Sequence, residues 1–447
     1  MRKLILMMTA ILAMSTAVQA EDHVMAATKG SQIYKDGAPK TLSLSLKEAQ
    51  DYAVKQNRTL KNASLAVQEA YAQQWQSIAA LLPQADASYS YSDYLNYSAT
   101  LSMMGNDVKI GMPNVGAFGV TASWGINGQA AVAIALNSIA IAMKNTALEQ
   151  SEVQLRESVM SSYTSILALQ SIAGLLDSSL VNIEHLETIT RNAVEAGAAE
   201  QTTADQIHVR VNTLKNSINV QKRNIELATN SLKVLLDVPV ETELVLTESI
   251  ESILSPESVL NLLSAHFDIE NNLDYQQLKN NVRLAKANVH MASWAYGPTI
   301  GVGYNYTNQQ YYGEGGMRMT PPNVIQVSVK MPLWSSGKRA AGIVEKKIAL
   351  EEAKNTLSET TDNLEIQYRQ LCFNLSNAYE TYINEKENIE VTQRVFHSTT
   401  EKFKWGAASN LELTNASNDL ISAQSTYVQA MLELINAQSE LEEFLNK

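Results

Sequence analysis

The chain has 447 residues, a formal net charge of −12 and 45% apolar residues, with only 9 prolines and 19 glycines. This length would suffice for two or three ordinary domains, but the scarcity of helix-breaking residues favours long helices. The negative charge and the lack of a basic stripe argue against a nucleic-acid-binding protein.

The N-terminus has the three parts of an export signal. A positive start, Arg2 and Lys3, precedes an apolar centre and a small-residue cleavage site that ends at Ala20. The apolar run is too short to anchor the chain by spanning a bilayer. We therefore expect residues 1–20 to be a signal peptide and residues 21–45 to be an N-terminal periplasmic segment, with no transmembrane helix in the mature chain.

The next part of the chain, residues 46–236, predicts one structural repeat. Ser45 and Glu48 form a capping box at the start of its first helix, which we expect to end at Pro83. Apolar and polar residues then alternate in two stretches, which predicts two strands joined by a loop. A heptad pattern follows, and Gly197 interrupts it as a helix C-cap would. The predicted elements after the first helix are strands 85–97 and 117–126, a long helix 128–196 and a helix 202–236.

A short acidic segment, residues 237–270, predicts an equatorial connector that is irregular or contains small helices, before a second repeat at residues 271–447. In this repeat a helix is followed by strands 300–311 and 323–333, a long helix 337–403 and a last helix 408–445. The long helix would reach about 100 Å. Two rows of residues spaced seven apart form the a/d seam of a coiled coil along it. The rows are Leu350, Leu357, Leu364 and Leu371, and Tyr368, Leu375, Tyr382, Ile389 and Phe396.

The two repeats match in detail, which indicates an internal duplication. The same spacing leads into the first strand of each repeat: a proline, five further residues, a tyrosine, one residue and a second tyrosine. The glycine breaks and the helices after them correspond at one common offset of 209 residues. The matched pairs are Pro83/Pro298, Tyr89/Tyr304, Tyr91/Tyr306, Gly197/Gly406, Ala228/Ala437 and Leu232/Leu441.

Four alternating strands in an exported chain leave two interpretations. They could be soluble hairpins on a helical protein. Alternatively, they could lie in a membrane, where a sheet must close and leave no edge, so strands from other copies would complete a barrel. The small residues on one face and aromatic residues on the other favour the barrel. The predicted membrane-interface aromatics are Tyr89, Tyr91, Trp124, Tyr304 and Tyr306.

With the segment Trp405–Ala416 added to these motifs, the mature chain resembles the TolC-like outer-membrane efflux proteins. The resemblance implies a mainly α fold with a small β part: a long antiparallel α-helical coiled-coil barrel plus a transmembrane β-barrel to which each protomer gives four strands. It also implies a homotrimer in outer-membrane lipid, with the helical tunnel in the periplasm. A periplasmic adaptor protein would dock at the Gly197 and Gly406 turns, and an inner-membrane transporter would supply energy.

The same resemblance suggests gate residues at the tunnel mouth. Where the family often has two acidic residues three apart, this chain has Glu412 and Asn415, and the matching region of the first repeat has Thr203 and Asp205. Phe403 stands at a gate-tyrosine position, and Ala408 replaces an expected arginine. We therefore expect closure to depend on packing and on a ring of Glu412 carboxylates, although Glu412 as an ordinary surface carboxylate is the alternative.

No enzyme signature is present. The six histidines, at positions 23, 185, 208, 266, 290 and 397, show no metal-ligand spacing, and Gly337-Lys338 lacks the rest of a phosphate-binding loop. We predict no catalytic residue, no cofactor and no metal. The predicted function is the exit duct of a tripartite efflux or type I secretion system, and the alternative is an exported coiled-coil structural or adhesive protein. No sequence pattern identifies the cargo.

Overall fold

The computed structural model describes residues 41–95, 97–103, 106–197, 200–254, 256–312 and 321–445. The expected signal peptide and most of the expected N-terminal segment lie outside these residues. The helices are α1 Leu46–Gln56, α2 Arg58–Ala79, α3 Gly128–Glu195, α4 Gln201–Leu235, α5 Ile250–Ile253, α6 Pro256–Leu263, α7 Leu273–Ser293, α8 Lys338–Lys404 and α9 Asn410–Phe444. Short 3₁₀ turns cover Ile269–Asn271 and Trp294–Tyr296.

The strands of the described residues form three separate sheets. They are β1 Thr41–Leu44, β2 Gln84–Ser92, β3 Ser98–Met103, β4 Asn106–Gly111, β5 Asn114–Ile126, β6 Glu243–Leu246, β7 Thr299–Tyr312 and β8 Asn323–Lys330. The largest sheet has the order β2-β5-β7-β8 and is antiparallel throughout. Its central pair joins the two repeats, and β2 and β8 form its edges.

The duplication is visible in the helix lengths. The long helices α3 and α8 have 68 and 67 residues, and the returning helices α4 and α9 have 35 each. The mainly α fold with a small β part is confirmed. The predicted seam of α8 is confirmed at its centre, where Leu364, Leu375 and Tyr382 are buried. These residues are buried because a coiled coil hides a narrow stripe of each helix against its neighbour.

The chain forms two compact units, and each repeat contributes to both. One unit comprises the described residues up to Leu65 with Thr146–Gln276 and the described part of Ser358–Lys447. Its main core gathers α1, α3, the end of α4, α5, α6, α8 and α9 around Tyr163, Leu232 and Leu434. A second cluster, centred on Ile183, Ile207 and Leu413, lies where α3 and α4 approach their shared turn. The other unit comprises Ala66–Asn145 and the described part of Gln277–Leu357, including the four-stranded sheet.

The first helix prediction was wrong in one respect, because the helix is broken in two. Asn57 ends α1 and starts α2: its side-chain oxygen accepts hydrogen bonds from the N–H groups of Thr59 at 2.8 Å and Leu60 at 3.2 Å. Asparagine favours such caps because its short side chain replaces a missing backbone partner. The predicted capping box of Ser45 and Glu48 is confirmed.

The first strand ends at Ser92 and not at 97, where the sequence alternation had placed its end. The Asp93 carboxylate accepts the N–H of Leu95 at 2.8 Å, and Leu95 has a left-handed φ of 50°. This local turn competes with the strand pairing and stops it. The loop expected after it contains the hairpin β3–β4 instead.

The connector contains the short helices α5 and α6, which agree with the small-helix prediction, and also a strand that the sequence did not indicate. Strand β6 pairs in parallel with β1, and the Leu46 N–H donates to the Glu248 carboxylate at 2.7 Å beside them. The Tyr163 hydroxyl donates to the carbonyl of Leu44 at 3.0 Å from the middle of α3. These contacts fix the start of the described chain to the connector and to α3.

One helix in the described part of the chain, α3, is long and apolar enough to cross a membrane by length and composition. The packed helices of soluble proteins reach the same hydropathy, so a single helix of this kind is weak evidence for a membrane span.

Candidate functional site

The four-stranded sheet has one apolar and one polar face. Residues directly paired in an antiparallel sheet share a face, so the register assigns the faces without ambiguity. The apolar face carries rows such as Ala85, Ala122, Tyr304 and Ile325, and the next row along contains Trp124, Val302 and Val327. Its large side chains are exposed or half-buried, and those on the edge strand β8 are among the most exposed.

Aromatic side chains gather toward the two ends of this apolar face. At the end nearer the β2–β5 and β7–β8 connections, the rings of Tyr91 and Tyr312 meet edge to face with centroids 6.0 Å apart. A Cβ at Gly116 would lie 3.2 Å from the Tyr89 hydroxyl, so glycine leaves room for these rings. At the helical end, the Trp124 indole donates to the carbonyl of Leu81 at 2.8 Å.

The predicted interface aromatics therefore occupy different positions. Tyr89 and Tyr91 lie near one end of the sheet and Trp124 near the other, whereas Tyr304 and Tyr306 pair with Ala122 and Val120 between them. Both of these central tyrosines are half-buried, and the Tyr304 hydroxyl donates to the Asn323 amide oxygen at 2.8 Å.

The opposite face of the sheet is small and polar. Successive rows contain Ser88 and Gly119, then Asp86, Thr121 and Asn305. The following rows contain Ser123, Gly303 and Gln326, and then Gly125, Gly301 and Ser328. Such a face offers hydrogen bonds to water and little apolar area for packing.

The two helical turns have the same backbone conformation. Gly197 and Gly406 both adopt φ +73°, a left-handed geometry that disfavours any residue with a Cβ. At the second turn the Ala407 N–H donates to the carbonyl of Lys402 at 2.8 Å and the Gly406 N–H to that of Phe403 at 3.0 Å. These bonds satisfy the last carbonyls of α8 and reverse the chain into α9.

The sequence-predicted gate residues lie in the first turns of α4 and α9 and at the end of α8. Glu412 is exposed and completes a capping box: its carboxylate accepts from the Ser409 N–H at 2.6 Å and from the Ser409 hydroxyl at 2.9 Å. These hydrogen bonds, the backbone one above all, lower the pKa of Glu412. The carboxylate is therefore ionised at neutral pH and held in place.

The other gate candidates make separate contacts. Asn415 is exposed one turn further along α9. Thr203 is half-buried, and the Asp205 carboxylate accepts from the Gln201 amide at 2.9 Å within α4. Phe403 packs against the second apolar cluster. Within one protomer, then, the structure gives each acid a partner in its own helix or cap.

Three features here were not found from the sequence. Trp405, beside the glycine of the second turn, is 84% exposed, whereas the first turn has Ala196 in the matching place. Arg210 of α4 reaches across to α9. Glu443, near the end of α9, adjoins Glu157 of α3, and burial with this contact raises its pKa to about 7. Exposure and tertiary partners of this kind have no periodic sequence signal.

Among the described residues, no group of three or more histidine, cysteine, aspartate or glutamate side chains is placed to hold a metal ion.

Part of the chain matches a family model, and most of it matches the fold of solved structures. Residues 268–447 match the family model described as outer membrane efflux protein. The chain is 23% identical over 285 residues to the outer membrane efflux protein BepC of Brucella suis, covering 62% of this chain and 60% of BepC. It is 22% identical over 309 residues to the probable efflux pump outer membrane protein TtgC of Pseudomonas putida, covering 66% and 61% respectively. The chain thus spans about three fifths of the length of these relatives.

Solved structures agree over a larger share of the chain. The outer membrane protein VceC of Vibrio cholerae has a TM-score of 0.72 at 13% identity, covering 90% of this chain and 95% of VceC. The open-state MtrE outer membrane channel of Neisseria gonorrhoeae has a TM-score of 0.72 at 16% identity, covering 90% and 88%. The resemblance drawn from the sequence is thereby confirmed, and the fold is that of these outer-membrane proteins.

Proposed function

We propose that this chain, whose C-terminal part matches the outer membrane efflux proteins, is the outer-membrane exit duct of a tripartite efflux or type I secretion system. The observation that carries this function is the four-stranded sheet, with one exposed apolar face, one small polar face and two unpaired edges. In water such a sheet exposes both its edges and its apolar side chains, and both favour association. A closed barrel in lipid removes both liabilities at once.

The dimensions of the apolar face support this proposal. Between Asn114, which pairs with Tyr312, and Trp124, strand β5 advances ten residues, or about 33 Å. Strands of membrane barrels tilt by roughly 35–45°, so this length corresponds to a height of about 25 Å. That is the height of the apolar band of outer-membrane barrels, with aromatic girdles at both borders. Tyr304 and Tyr306 would then face acyl chains, and Tyr89, Tyr91 and Trp124 the two interfaces.

The proposed assembly is a homotrimer, because three copies give twelve strands and twelve long or returning helices. The apolar face contacts outer-membrane lipid and the polar face lines a water-filled pore. The helices continue the pore through the periplasm. Substrate moves passively, so the duct needs neither a cofactor nor a catalytic residue, and it is not an enzyme.

The proposed partners meet the duct at the helical turns. A periplasmic adaptor protein binds the Gly197 and Gly406 turns, and an inner-membrane transporter delivers substrate through it. The proposed function involves no nucleic-acid partner. BepC and TtgC are named for efflux, and another relative, from Aggregatibacter actinomycetemcomitans, is named toxin and drug export protein A.

Reconstitution tests the proposed function directly. Detergent-purified protein should migrate as a heat-labile oligomer, fractionate with outer membranes and produce discrete single-channel currents in planar lipid bilayers. Protein that washes off membranes without detergent, and gives no current, would support the exported coiled-coil adhesin instead.

A further inference from the structure

One cation joins the two helical hairpins close to their turns. Arg210 lies on α4 of the α3–α4 hairpin, and its Nη2 atom donates to the Ser417 hydroxyl at 3.1 Å and to the Asn418 side-chain oxygen at 2.5 Å. Both acceptors belong to α9 of the α8–α9 hairpin. The guanidinium thus crosses from one hairpin to the other beside the cluster of Ile183, Ile207 and Leu413.

The charge of this guanidinium is not neutralised. In the described part of the chain no carboxylate forms an ion pair with Arg210, and its Nε atom is buried without a hydrogen-bond partner. Two other cations of the α3–α4 hairpin, by contrast, have acidic partners: Arg191 contacts Glu187 and Lys215 contacts Glu184, both at 2.8 Å. Arg210 is therefore partly desolvated with only neutral acceptors to compensate it.

The contact of Arg210 with α9 is stabilised by its hydrogen bonds and destabilised by the partly buried charge. Two hydrogen bonds from a charged donor keep α4 against α9. Parting the hairpins, however, would return the charge and the orphan Nε to water, which recovers part of the desolvation cost. If a carboxylate neutralised the charge at the same place, parting the hairpins would recover less desolvation energy. The hairpins would then be harder to separate.

We infer that Arg210 is a latch between the two hairpins, and that its missing carboxylate keeps the latch weak enough for the hairpins to part when the duct opens. This inference rests on the proposed function and names a positioning residue that controls it. The internal repeat does not supply a second latch, because the position 209 residues beyond Arg210 is Asp419.

Supplying the missing charge tests the latch. The substitution Asn418→Asp places a carboxylate where the amide oxygen now accepts the Arg210 hydrogen bond. We expect the open-channel probability in planar bilayers to fall at least about fivefold, a modest coupling between two sites. Ser422→Asp adds the same charge one turn along α9 at an exposed position and should leave the probability unchanged.

A double variant isolates the contribution of Arg210. Arg210→Gln alone should raise the open probability, and Arg210→Gln combined with Asn418→Asp should abolish the fall. Arg223→Gln, which removes an exposed arginine from the same helix, is the matched control. If Asn418→Asp conducts like the wild type, or closes the channel equally without Arg210, the latch does not exist.

A second measurement separates this inference from the proposed function. Amide hydrogen exchange near Arg210 and Asn418 should slow in Asn418→Asp, and should not slow when Arg210→Gln is also present. A wild type that gives no current, but shows this exchange pattern, would reject the duct and keep the latch. A wild type that conducts, but whose hydrogen exchange is unchanged by the substitutions, would keep the duct and reject the latch.

Discussion

The two ends of α9 hold carboxylates in opposite environments. Glu412, in the first turn, accepts hydrogen bonds from Ser409, which lower its pKa. Glu443, near the last turn, is half-buried beside Glu157, with Glu440 and Asp274 also near. Hydrogen bonds favour the charged form of the first, and burial with like charges favours the neutral form of the second. The two residues therefore require different tests.

The role of Glu412 at a tunnel mouth can be separated from its role as a cap. Glutamine can fill the same place in a capping box but carries no charge, whereas alanine loses both. Glu412→Gln should lower cation selectivity in single-channel recordings while leaving the thermal midpoint unchanged, and Glu412→Ala should lower both. Unchanged selectivity in both variants would make Glu412 a helix cap alone.

Glu443 should make the protein less stable as pH rises. Its folded-state pKa, about 7, lies above the ordinary 4.5, so the folded state binds the proton more tightly than the unfolded state does. Stability from this group is thus fully present below about pH 4.5 and is lost as the pH rises to about 7. Glu149, Glu152, Glu442 and the guanidinium of Arg156 line the cavity beside it.

Glu443→Gln mimics the protonated acid, so its thermal midpoint should equal that of the wild type at pH 4, below the ordinary pKa of 4.5, and exceed it at pH 8. Glu433→Gln removes an exposed carboxylate from the same helix and serves as the control. If both variants shift the midpoint equally at both pH values, the environment of Glu443 has no special effect.

At the scale of elements, periodic sequence patterns correctly predicted residues that are buried by periodic helix packing. The seven-residue rows of α8 identified Leu364, Leu375 and Tyr382, which are buried. Pairings between distant segments were missed, because β1 and β6 are only four residues long and lie 202 positions apart. Local side-chain turns were missed too: Asp93 interrupted the alternation visibly, yet only the structure shows it ending the strand. Arg210 depends on which face of α9 meets α4, and no local pattern encodes that.

The glycines of the two turns should be equally necessary. No atom of the described residues lies within 4 Å of a Cβ built at either Gly197 or Gly406, so the left-handed backbone is what opposes a side chain there. Alanine at either position should cost about 1–2 kcal/mol in the free energy of unfolding, measured by denaturant titration in detergent.

A helical glycine provides the control for this prediction. Gly174 of α3 also has open space around a Cβ, but its conformation is helical. Gly174→Ala should therefore be neutral or stabilising by up to about 1 kcal/mol. Equal destabilisation at all three glycines would mean that packing, and not backbone conformation, sets the cost.

The two turns should differ in how they bind a partner. Trp405 and Leu411 of the second turn are 84% and 69% exposed, while the first turn has Ala196 and Thr202 in the matching positions. Tryptophan is enriched among the few side chains that supply most of the binding energy at interfaces. Trp405→Ala should weaken binding of the cognate adaptor at least about tenfold, measured by surface-immobilised titration. Trp334→Ala, at an exposed tryptophan before α8, should leave adaptor affinity unchanged.

At the scale of the whole molecule, the duplication sets the shape of the four-stranded sheet. Its central strands β5 and β7 are paired on both sides, whereas its outer strands β2 and β8 each have one neighbour among the described residues. In the proposed trimer, β2 of one copy would pair with β8 of the next. Such a head-to-tail interface generates a ring when the rotation between copies closes.

Cross-linking should reveal this ring and count its members. In a Cys372→Ser background, cysteine at Ser88 on β2 should form disulfides with cysteine at one of Gln326, Ser328 or Lys330, which lie on the same polar face of β8. Several β8 positions are needed because only one register between copies brings the sulfur atoms within bonding distance. Denaturing electrophoresis should then show species up to a covalent trimer and none larger, since a closed ring has no free edge. Cysteine at Thr121 on the inner strand β5, paired with the same β8 positions, should give monomers only. A ladder that continues beyond three, or no cross-link in any register, would contradict the twelve-stranded barrel.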